Sequence, residues 1–311
     1  MEAWGNFWQK GHSTTFGEYY ADGYTKGYIS EWWKTIFETY SKSDVTILEV
    51  GCGNASLLPS SLDIQVTGSY HGVDAAEVQL SEAVKTRLND KLLVNLSGKT
   101  KIEDYQPKTT FDLIASVYGV EYSNLNQTLP SLKSLLKPNG QIHFLMHHAG
   151  SVITEMSKKA LTEFDFGTIN DGVEQLTIIN SELNRLNGKL NKLQKSSAAE
   201  SARERVNQLV SEIMNQPSSS RNPIMVDFSV SLLGYFKKIQ QAKSERKAHI
   251  ASILPDFKSS KERFRQMVDV ARDEAAIEDF KQKMSDSGFS GIIIEPLNLD
   301  GKPVAWKIFA K

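Results

Sequence analysis

The sequence is poor in the features that mark disulfide-bonded, metal-binding or membrane proteins. Its 311 residues include one cysteine, Cys52, so no disulfide can form within the chain and a structural zinc site is not expected. No apolar run approaches the ~18–20 residues that a membrane span requires. The first residues carry neither a basic leader nor an apolar stretch of signal-peptide length, so we expect a cytoplasmic protein with no membrane partner and no bound metal.

An excess of either charge is also lacking. The 36 Lys and Arg residues are balanced by 37 Asp and Glu residues, which gives a formal net charge of -1. Proteins that bind nucleic acid usually carry a basic excess, because phosphate contacts supply much of their affinity. The composition therefore disfavours a nucleic-acid partner. One dense basic cluster is interpreted as the solvated side of an amphipathic helix, and it consists of Lys237, Lys238, Lys243, Arg246 and Lys247.

What the chain does contain is a series of short β-branched runs that alternate with helical segments, the pattern of a parallel sheet. The predicted strands are 45–50, 70–73, 92–96, 111–117, 141–147, 291–295 and 303–310. Helices are predicted over 29–40, 77–90 and 129–136. The Asp-Gly pair at Asp300 predicts a hairpin that joins the last two strands.

Between the fifth and sixth predicted strands the pattern changes to helices. Apolar residues recur with 3-4 spacing over 173–193 and again, in another register, over 199–213, which predicts a helical hairpin. Two further helices are predicted at 225–252 and 258–285. We therefore divide the chain into an aromatic N-terminal segment or lid (1–43), a sheet core (44–150 and 286–311) and a helical insertion (151–285) that ends in the core helix before the sixth strand. The insertion would act as a cap or a dimerisation arm.

A glycine-rich turn follows the first predicted strand. Gly51 and Gly53 allow a tight turn where a ligand can approach bare backbone, and Asp74 ends the next strand, where it can accept hydrogen bonds from two ribose hydroxyls. A dinucleotide site would have a third glycine where Ser56 stands. The carboxylate of Glu49 opposes a phosphate and suits a ligand with a cationic centre, such as S-adenosyl-L-methionine.

These motifs resemble those of the class I S-adenosylmethionine-dependent methyltransferases. Glu49-Val50-Gly51-Cys52-Gly53-Asn54-Ala55 is similar to their first motif, and Gly72-Val73-Asp74 to the second. The segments 111–114 and 135–141 and the terminal hairpin are similar to the regions of the fourth to seventh strands. The resemblance implies an α/β fold: a Rossmann-like, mostly parallel seven-stranded sheet with an antiparallel last strand, here with an all-helical insertion.

The resemblance also implies which residues hold the cofactor. Gly51 and Gly53 would line its methionine part, Asp74 would hold the ribose, and Ile102 would contact the adenine. The full predicted cofactor-binding set is Glu49, Gly51, Cys52, Gly53, Asp74, Ile102, Ser116 and Tyr118.

The methyl acceptor is expected beyond the carboxyl ends of the strands. There His147 or His148 could remove a proton from an acceptor hydroxyl, or either could be a structural histidine. The predicted substrate-binding residues are His12, Tyr19, Tyr20, Tyr24, Glu121 and Tyr122.

The predicted function is methyl transfer to an O or N atom of a small-molecule acceptor. Three alternatives remain open at this point: a methyltransferase that acts on tRNA or protein through the helical insertion, an NAD(P)-dependent oxidoreductase, and a non-catalytic cofactor-binding protein. A homodimer formed through the insertion is open as well.

Overall fold

The computed structural model describes residues 2–15, 23–41, 43–218 and 220–311. The chain forms two units: Met1–Ser157 with Arg265–Lys311, and Lys158–Phe264. Within the described ranges, no helix has the length and apolar character needed to cross a membrane.

The first unit is built on a seven-stranded sheet with the order β3-β2-β1-β4-β5-β7-β6. Its strands are β1 Asp44–Val50, β2 Thr67–Val73, β3 Leu92–Ser97, β4 Phe111–Val117, β5 Leu136–Met146, β6 Ile293–Leu299 and β7 Lys302–Ala310. The pairs among β1 to β5 are parallel, whereas β7 is antiparallel to both β5 and β6. The predicted Rossmann-like sheet with an antiparallel last strand is confirmed.

Apolar side chains cover both faces of this sheet. The helices that lie wholly within the first unit are α1 Glu2–Trp8, α2 Gly27–Glu38, α3 Leu58–Asp63, α4 Glu82–Lys85, α5 Leu125–Leu135 and α12 Glu274–Asp286. Because successive strand residues point to opposite faces, Ile47 of β1 packs in one cluster with Trp33 of α2. Leu48 packs in the other cluster with Leu129 of α5 and Phe280 of α12.

The predicted helix over 77–90 is wrong, because only α4 is helical in that stretch. The side chain of Asn54 accepts a hydrogen bond from the backbone N–H of Gln79 (2.9 Å), which holds this part of the chain outside a helix. The hydroxyl of Ser81 then caps α4 by accepting a hydrogen bond from Val84 N (3.3 Å).

The second unit has its own apolar core. The helices between β5 and β6, apart from α12, are α6 Val152–Glu163, α7 Phe166–Arg185, α8 Leu190–Leu193, α9 Ser197–Met214, α10 Pro223–Lys237 and α11 Lys243–Val270. Helices α7 and α9 pack side by side, with Leu176 and Val206 buried in the common core, as expected for the predicted hairpin.

The two long helices predicted over 225–252 and 258–285 are replaced by α10, α11 and α12. Pro255 lies inside α11 and does not end it, because Ile253 and Phe257 on either side of it are buried and hold the helix in place. A new helix begins after Asp273, whose carboxylate accepts a hydrogen bond from Ala276 N (2.9 Å).

The backbone of β2 constrains the sheet at Gly68. Its φ is +115°, and a Cβ built there would lie 2.2 Å from the carbonyl oxygen of Val45 on β1.

We expect Gly68→Ala to lower the free energy of unfolding by ~3 kcal/mol or more, since it adds left-handed strain to a backbone clash. The matched control is Gly291→Ala, where φ is +59° and no atom lies within 4 Å, so that strain alone should cost ~1 kcal/mol. Urea denaturation followed by circular dichroism measures both; equal losses would contradict the clash.

Candidate functional site

The carboxyl ends of β1 and β4 meet at a pair of glycines. A Cβ built on Gly51 would lie 2.7 Å from Cα of Gly119, and one built on Gly119 would lie 2.7 Å from the carbonyl oxygen of Val50. Gly51 also has a φ of +66°, in the left-handed region that glycine adopts at little cost. The two strand ends therefore present bare backbone to the space above them. Sequence analysis missed Gly119, although its position two residues after the fourth predicted strand was a usable signal.

A cavity of about 340 Å³ opens at these strand ends, within the first unit. Cavities that bind small molecules are usually ~300–1,000 Å³ and mostly apolar. The predicted site residues that the structure brings together on its wall are Gly51, Asp74, Ile102, Tyr118, Tyr24 and Tyr122. Residues that were predicted for the cofactor and for the acceptor thus border one space.

Asp74 is held in the cavity wall by backbone groups. Its Oδ2 accepts a hydrogen bond from Gly53 N (2.8 Å), and its Oδ1 accepts one from Ala76 N (2.7 Å). Burial raises the pKa of this carboxyl, although the two hydrogen bonds oppose that shift. Each carboxylate oxygen accepts more than one hydrogen bond, so capacity remains for two ribose hydroxyls.

Ile102 and Glu103 of the short 3-10 turn Ile102–Asp104 also line the cavity. The buried Ile102 side chain offers an apolar surface to the cavity, as an adenine ring would require. Glu103 accepts a hydrogen bond from Asn124 N (2.6 Å) through Oε1, so this acid ties the turn to the segment after β4.

The side chain of Glu49 does not reach the cavity, which corrects the direct contact with a cationic ligand that the sequence suggested. Its carboxylate lies in the core beside Leu57 and accepts a hydrogen bond from the hydroxyl of Tyr70. Burial is the main reason that the pKa of Glu49 rises to about 8, and the nearby Asp74 raises it further.

Three more predicted cofactor residues do not line the cavity. Cys52 is buried, and a Cβ built on Gly72 would lie 2.8 Å from its Sγ, so Cys52 is a packing residue. Gly53 is covered by Trp8, whose ring would lie 2.6 Å from a Cβ at that position. Ser116 donates a hydrogen bond to the carbonyl oxygen of Val50 (2.7 Å), which joins β4 to β1.

The N-terminal segment is attached to the glycine-rich turn through one side chain. The amide nitrogen of Asn54 donates hydrogen bonds to the carbonyl oxygens of Trp8 (2.9 Å) and His12 (2.8 Å). Trp4 and Trp8 of α1 consequently line the cavity, a role that the sequence did not reveal because it depends on this remote contact. The His12 ring stacks on Phe7 (4.2 Å between centroids) and is not part of the cavity wall. Tyr19 and Tyr20 lie outside the described residues.

Two tyrosines form the wall next to β5. Tyr118 has a φ of +54°, unusual for a residue other than glycine, and its hydroxyl lies 3.0 Å from that of Tyr28 and 3.3 Å from the carbonyl oxygen of Val304. The hydroxyl of Tyr122 lies 3.3 Å from Nε2 of His147.

Neither predicted catalytic histidine reaches the cavity. The His147 ring stacks on Tyr118 (4.5 Å between centroids) and is 3% exposed, and burial lowers its pKa to about 3. The His148 ring stacks on Trp306, and its Nδ1 accepts a hydrogen bond from Gly150 N (2.9 Å). The structure therefore corrects the expectation that one of them removes a proton from the acceptor directly: a buried, weakly basic ring behind a tyrosine is badly placed for that role.

Glu121 lies beside the same histidine and is buried rather than on the cavity wall. Its Oε1 accepts a hydrogen bond from the backbone N–H of His147 (2.9 Å), and its Oε2 has no partner among the described residues. Burial raises the pKa of Glu121 to about 7. Direct contact of Glu121 with the acceptor, as predicted, is not seen.

Comparison with known families supports the motif analysis. Residues 48–142 match the sequence model of a family described as a methyltransferase domain. The matched stretch contains the glycine-rich turn, Asp74 and the end of β4. No curated protein matches the chain closely enough to count as a relative.

Solved structures match parts of the chain at low identity. DesVI from Streptomyces venezuelae is 18% identical, with 42% of this chain and 52% of that one covered and a TM-score of 0.30. An S-adenosylmethionine-dependent methyltransferase from Clostridium acetobutylicum is 17% identical, with 39% and 49% covered and a TM-score of 0.29. The CMeT domain of the citrinin polyketide synthase is 12% identical, with 86% and 46% covered and a TM-score of 0.37. The chain thus spans about half the length of these proteins.

The residues of the cavity fit S-adenosylmethionine. Asp74 has lone pairs left for a ribose, Ile102 offers an apolar surface for adenine, and the backbone at Gly51 is open to the amino-acid part of the ligand. Among the described residues, no group of three or more His, Cys, Asp or Glu side chains is arranged to hold a metal ion.

One prediction for the cavity concerns Asp74. We expect Asp74→Ala to weaken the binding of S-adenosylhomocysteine by ~10- to 100-fold, since the ribose hydroxyls lose their acceptors and the turn at Gly53 loses one hydrogen bond. Calorimetric titration measures the change. The control is Glu77→Gln, an exposed acid three residues further on that is not part of the cavity wall and should leave the affinity unchanged. Wild-type affinity in Asp74→Ala would rule out this residue as the ribose acceptor.

Another prediction concerns Glu49. Because its pKa is raised from 4.5 to about 8 in the folded protein, the folded state holds a proton that the unfolded state has lost. The stability contributed by this proton is complete below pH ~4.5 and is lost as the pH rises to about 8. In Glu49→Gln, urea denaturation between pH 5 and 8 should therefore show a smaller fall in the free energy of unfolding than in the wild type. Tyr70→Phe removes a hydrogen bond that lowers the pKa and should extend the fall to higher pH; parallel curves for all three proteins would contradict the assignment.

Proposed function

We propose that this chain, which carries an S-adenosylmethionine-dependent methyltransferase domain, transfers the methyl group to an O or N atom of a small molecule held in the cavity beneath α1. Bound S-adenosylmethionine supplies an electrophilic methyl group. The transfer would join the acceptor atom to the methyl carbon, break the carbon–sulfur bond and leave that bond's electron pair on sulfur, with Asp74 and Gly51 holding the cofactor. The acceptor's proton leaves to solvent.

The observation that carries this proposal is that cofactor and acceptor residues share one cavity. Its lining includes Asp74, Gly51 and Tyr118, which were predicted for the cofactor, and Tyr24 and Tyr122, which were predicted for the acceptor. Its volume of about 340 Å³ is at the lower end of the range for small-molecule sites. A macromolecular acceptor would reach such a space only through a protruding group.

The residues of the chain act on the reaction by positioning the acceptor and excluding water. Trp4 meets Tyr122 edge to face at 5.6 Å between ring centroids, so α1 and the end of β4 close one side of the cavity with apolar surface. Holding two reactants in line in such a site replaces a bimolecular encounter and removes competing water.

Methylation of tRNA or protein through the helical unit is the rival function. It depends on the basic cluster around Arg246, but Arg246 is buried, and its guanidinium donates hydrogen bonds to Oδ1 of Asn180 (3.0 Å) and Oδ1 of Asn184 (2.7 Å). Other helical arginines form ion pairs, as Arg205 does with Asp171 (2.7 Å). Arg246 is therefore engaged inside the unit, whereas the four lysines of the cluster are exposed and remain the surface on which this rival function would depend.

The second unit is proposed to act as a cap or a dimerisation arm. It has a separate core in which Phe228 and Leu232 of α10 are fully buried, so the sheet is not needed to cover its apolar residues.

A labelling screen tests the proposed function. The full chain is incubated with S-adenosylmethionine tritiated in its methyl group and with separate small-molecule, RNA and protein fractions of a cell extract. We expect label in the small-molecule fraction, and less label with Asp74→Ala when S-adenosylmethionine is kept below saturation. Label confined to RNA or protein would overturn the proposal, and heat-denatured protein is the blank.

A further inference from the structure

We propose that Tyr122 is the catalytic residue that hydrogen-bonds the methyl acceptor, and that His147 is a positioning residue that holds the hydroxyl of Tyr122 in place. This inference rests on the proposed function, because it assigns a role in the same cavity. It replaces direct catalysis by a histidine with a contact made by a tyrosine.

Tyr122 is placed where an acceptor would lie. It is the last residue of the short 3-10 turn Val120–Tyr122 after β4, and it lines the same cavity as Asp74. Trp4 packs against one side of its ring, with 5.6 Å between centroids, and His147 lies edge to face at 6.1 Å. The ring is therefore held on two sides, and its hydroxyl is directed toward Nε2 of His147 at the edge of the wall.

His147 is built into the structure as a partner for that hydroxyl. Its Nε2 lies 3.3 Å from the Tyr122 oxygen, its ring stacks on Tyr118, and its backbone N–H donates to Glu121. Its Nδ1 has no partner among the described residues. A buried polar atom without a partner usually lowers the stability of the fold by ~1–3 kcal/mol, so a leucine or phenylalanine would be the more stable choice at this position. The hydrogen bond between Nε2 and Tyr122 gives a reason for a histidine here.

Whichever atom donates in this hydrogen bond, the hydroxyl of Tyr122 can still form another hydrogen bond. If the hydroxyl donates to Nε2, its oxygen can still accept a hydrogen bond from the acceptor; if Nε2 carries the proton, the hydroxyl can donate to the acceptor. In both cases His147 sets the direction of the remaining capacity. Burial lowers the pKa of His147 to about 3, so its ring stays neutral and acts through this hydrogen bond rather than through charge.

The test is a double-mutant cycle on the full chain. The probe is the small-molecule cell fraction that the wild type labels with tritiated S-adenosylmethionine, from which the labelled acceptor is purified for kinetics. Tyr122→Phe keeps the ring and should lower kcat/KM by ~10- to 100-fold. His147→Leu should cause a similar loss, whereas His147→Gln, whose amide keeps a polar atom near the position of Nε2, should recover most of the activity.

Because His147 acts through Tyr122, the combined variant Tyr122→Phe/His147→Leu should be no less active than Tyr122→Phe alone. His148→Gln is the matched control: this neighbouring histidine stacks on Trp306 and should leave kcat/KM unchanged. Binding of S-adenosylhomocysteine, measured by calorimetry, should stay within ~2-fold of wild type in every variant, which shows that the fold and the cofactor site are intact.

Several results would overturn the inference while leaving the proposed function in place. One is wild-type turnover in Tyr122→Phe, and another is a combined variant in which the two losses of activity multiply. A third is a Tyr122→Phe protein that loses affinity for S-adenosylhomocysteine instead of turnover, which would make Tyr122 a cofactor residue. If the wild type labels only RNA or protein, both the inference and the proposed function fall.

Discussion

The contact between the backbones of Gly51 and Gly119 is the constraint on which the site depends. Each glycine occupies the space that a Cβ on the other would need, so the ends of β1 and β4 come together without side chains between them. Two hydrogen bonds of Ser116, to Val50 O and from Val120 N, hold the same junction. As a result a cavity floored by backbone opens at the carboxyl ends of parallel strands, the place where open α/β sheets bind ligands.

The wall above this floor comes from a part of the chain remote in sequence. Asn54 uses its amide nitrogen to hold two carbonyl groups of the N-terminal segment and its amide oxygen to hold Gln79. One side chain therefore connects the cover that carries Trp4 and Trp8 to the segment that follows Asp74. Because both the nitrogen and the oxygen of this amide are hydrogen-bonded, the two segments are held in fixed positions. A cavity wall with a fixed shape can select an acceptor by its shape.

Some of the site was predictable from the sequence because its signals are local. Gly51, Asp74 and Tyr118 lie next to strand ends that the alternation of apolar residues reveals, whereas Ile102 was assigned from the family resemblance. The structure puts all four on the cavity wall. Other roles depend on distance in space. His147 follows a strand directly, as a catalytic residue would, but its ring turns toward Tyr118 and is buried behind it.

The sequence by itself determined where the strands lie along the chain and where the tight turn with Asp74 beyond it lies, because a strand, a glycine-rich turn and an acid at a strand end are recorded in consecutive residues. The resemblance of these motifs to a known family added the methyltransferase class. Only the tertiary structure decided which side chains share the cavity. Trp8 meets Gly53, and Tyr122 meets His147, through contacts between residues that are far apart along the chain. Packing against such partners sets the burial and pKa of Glu49, Glu121 and His147, and no local pattern encodes it.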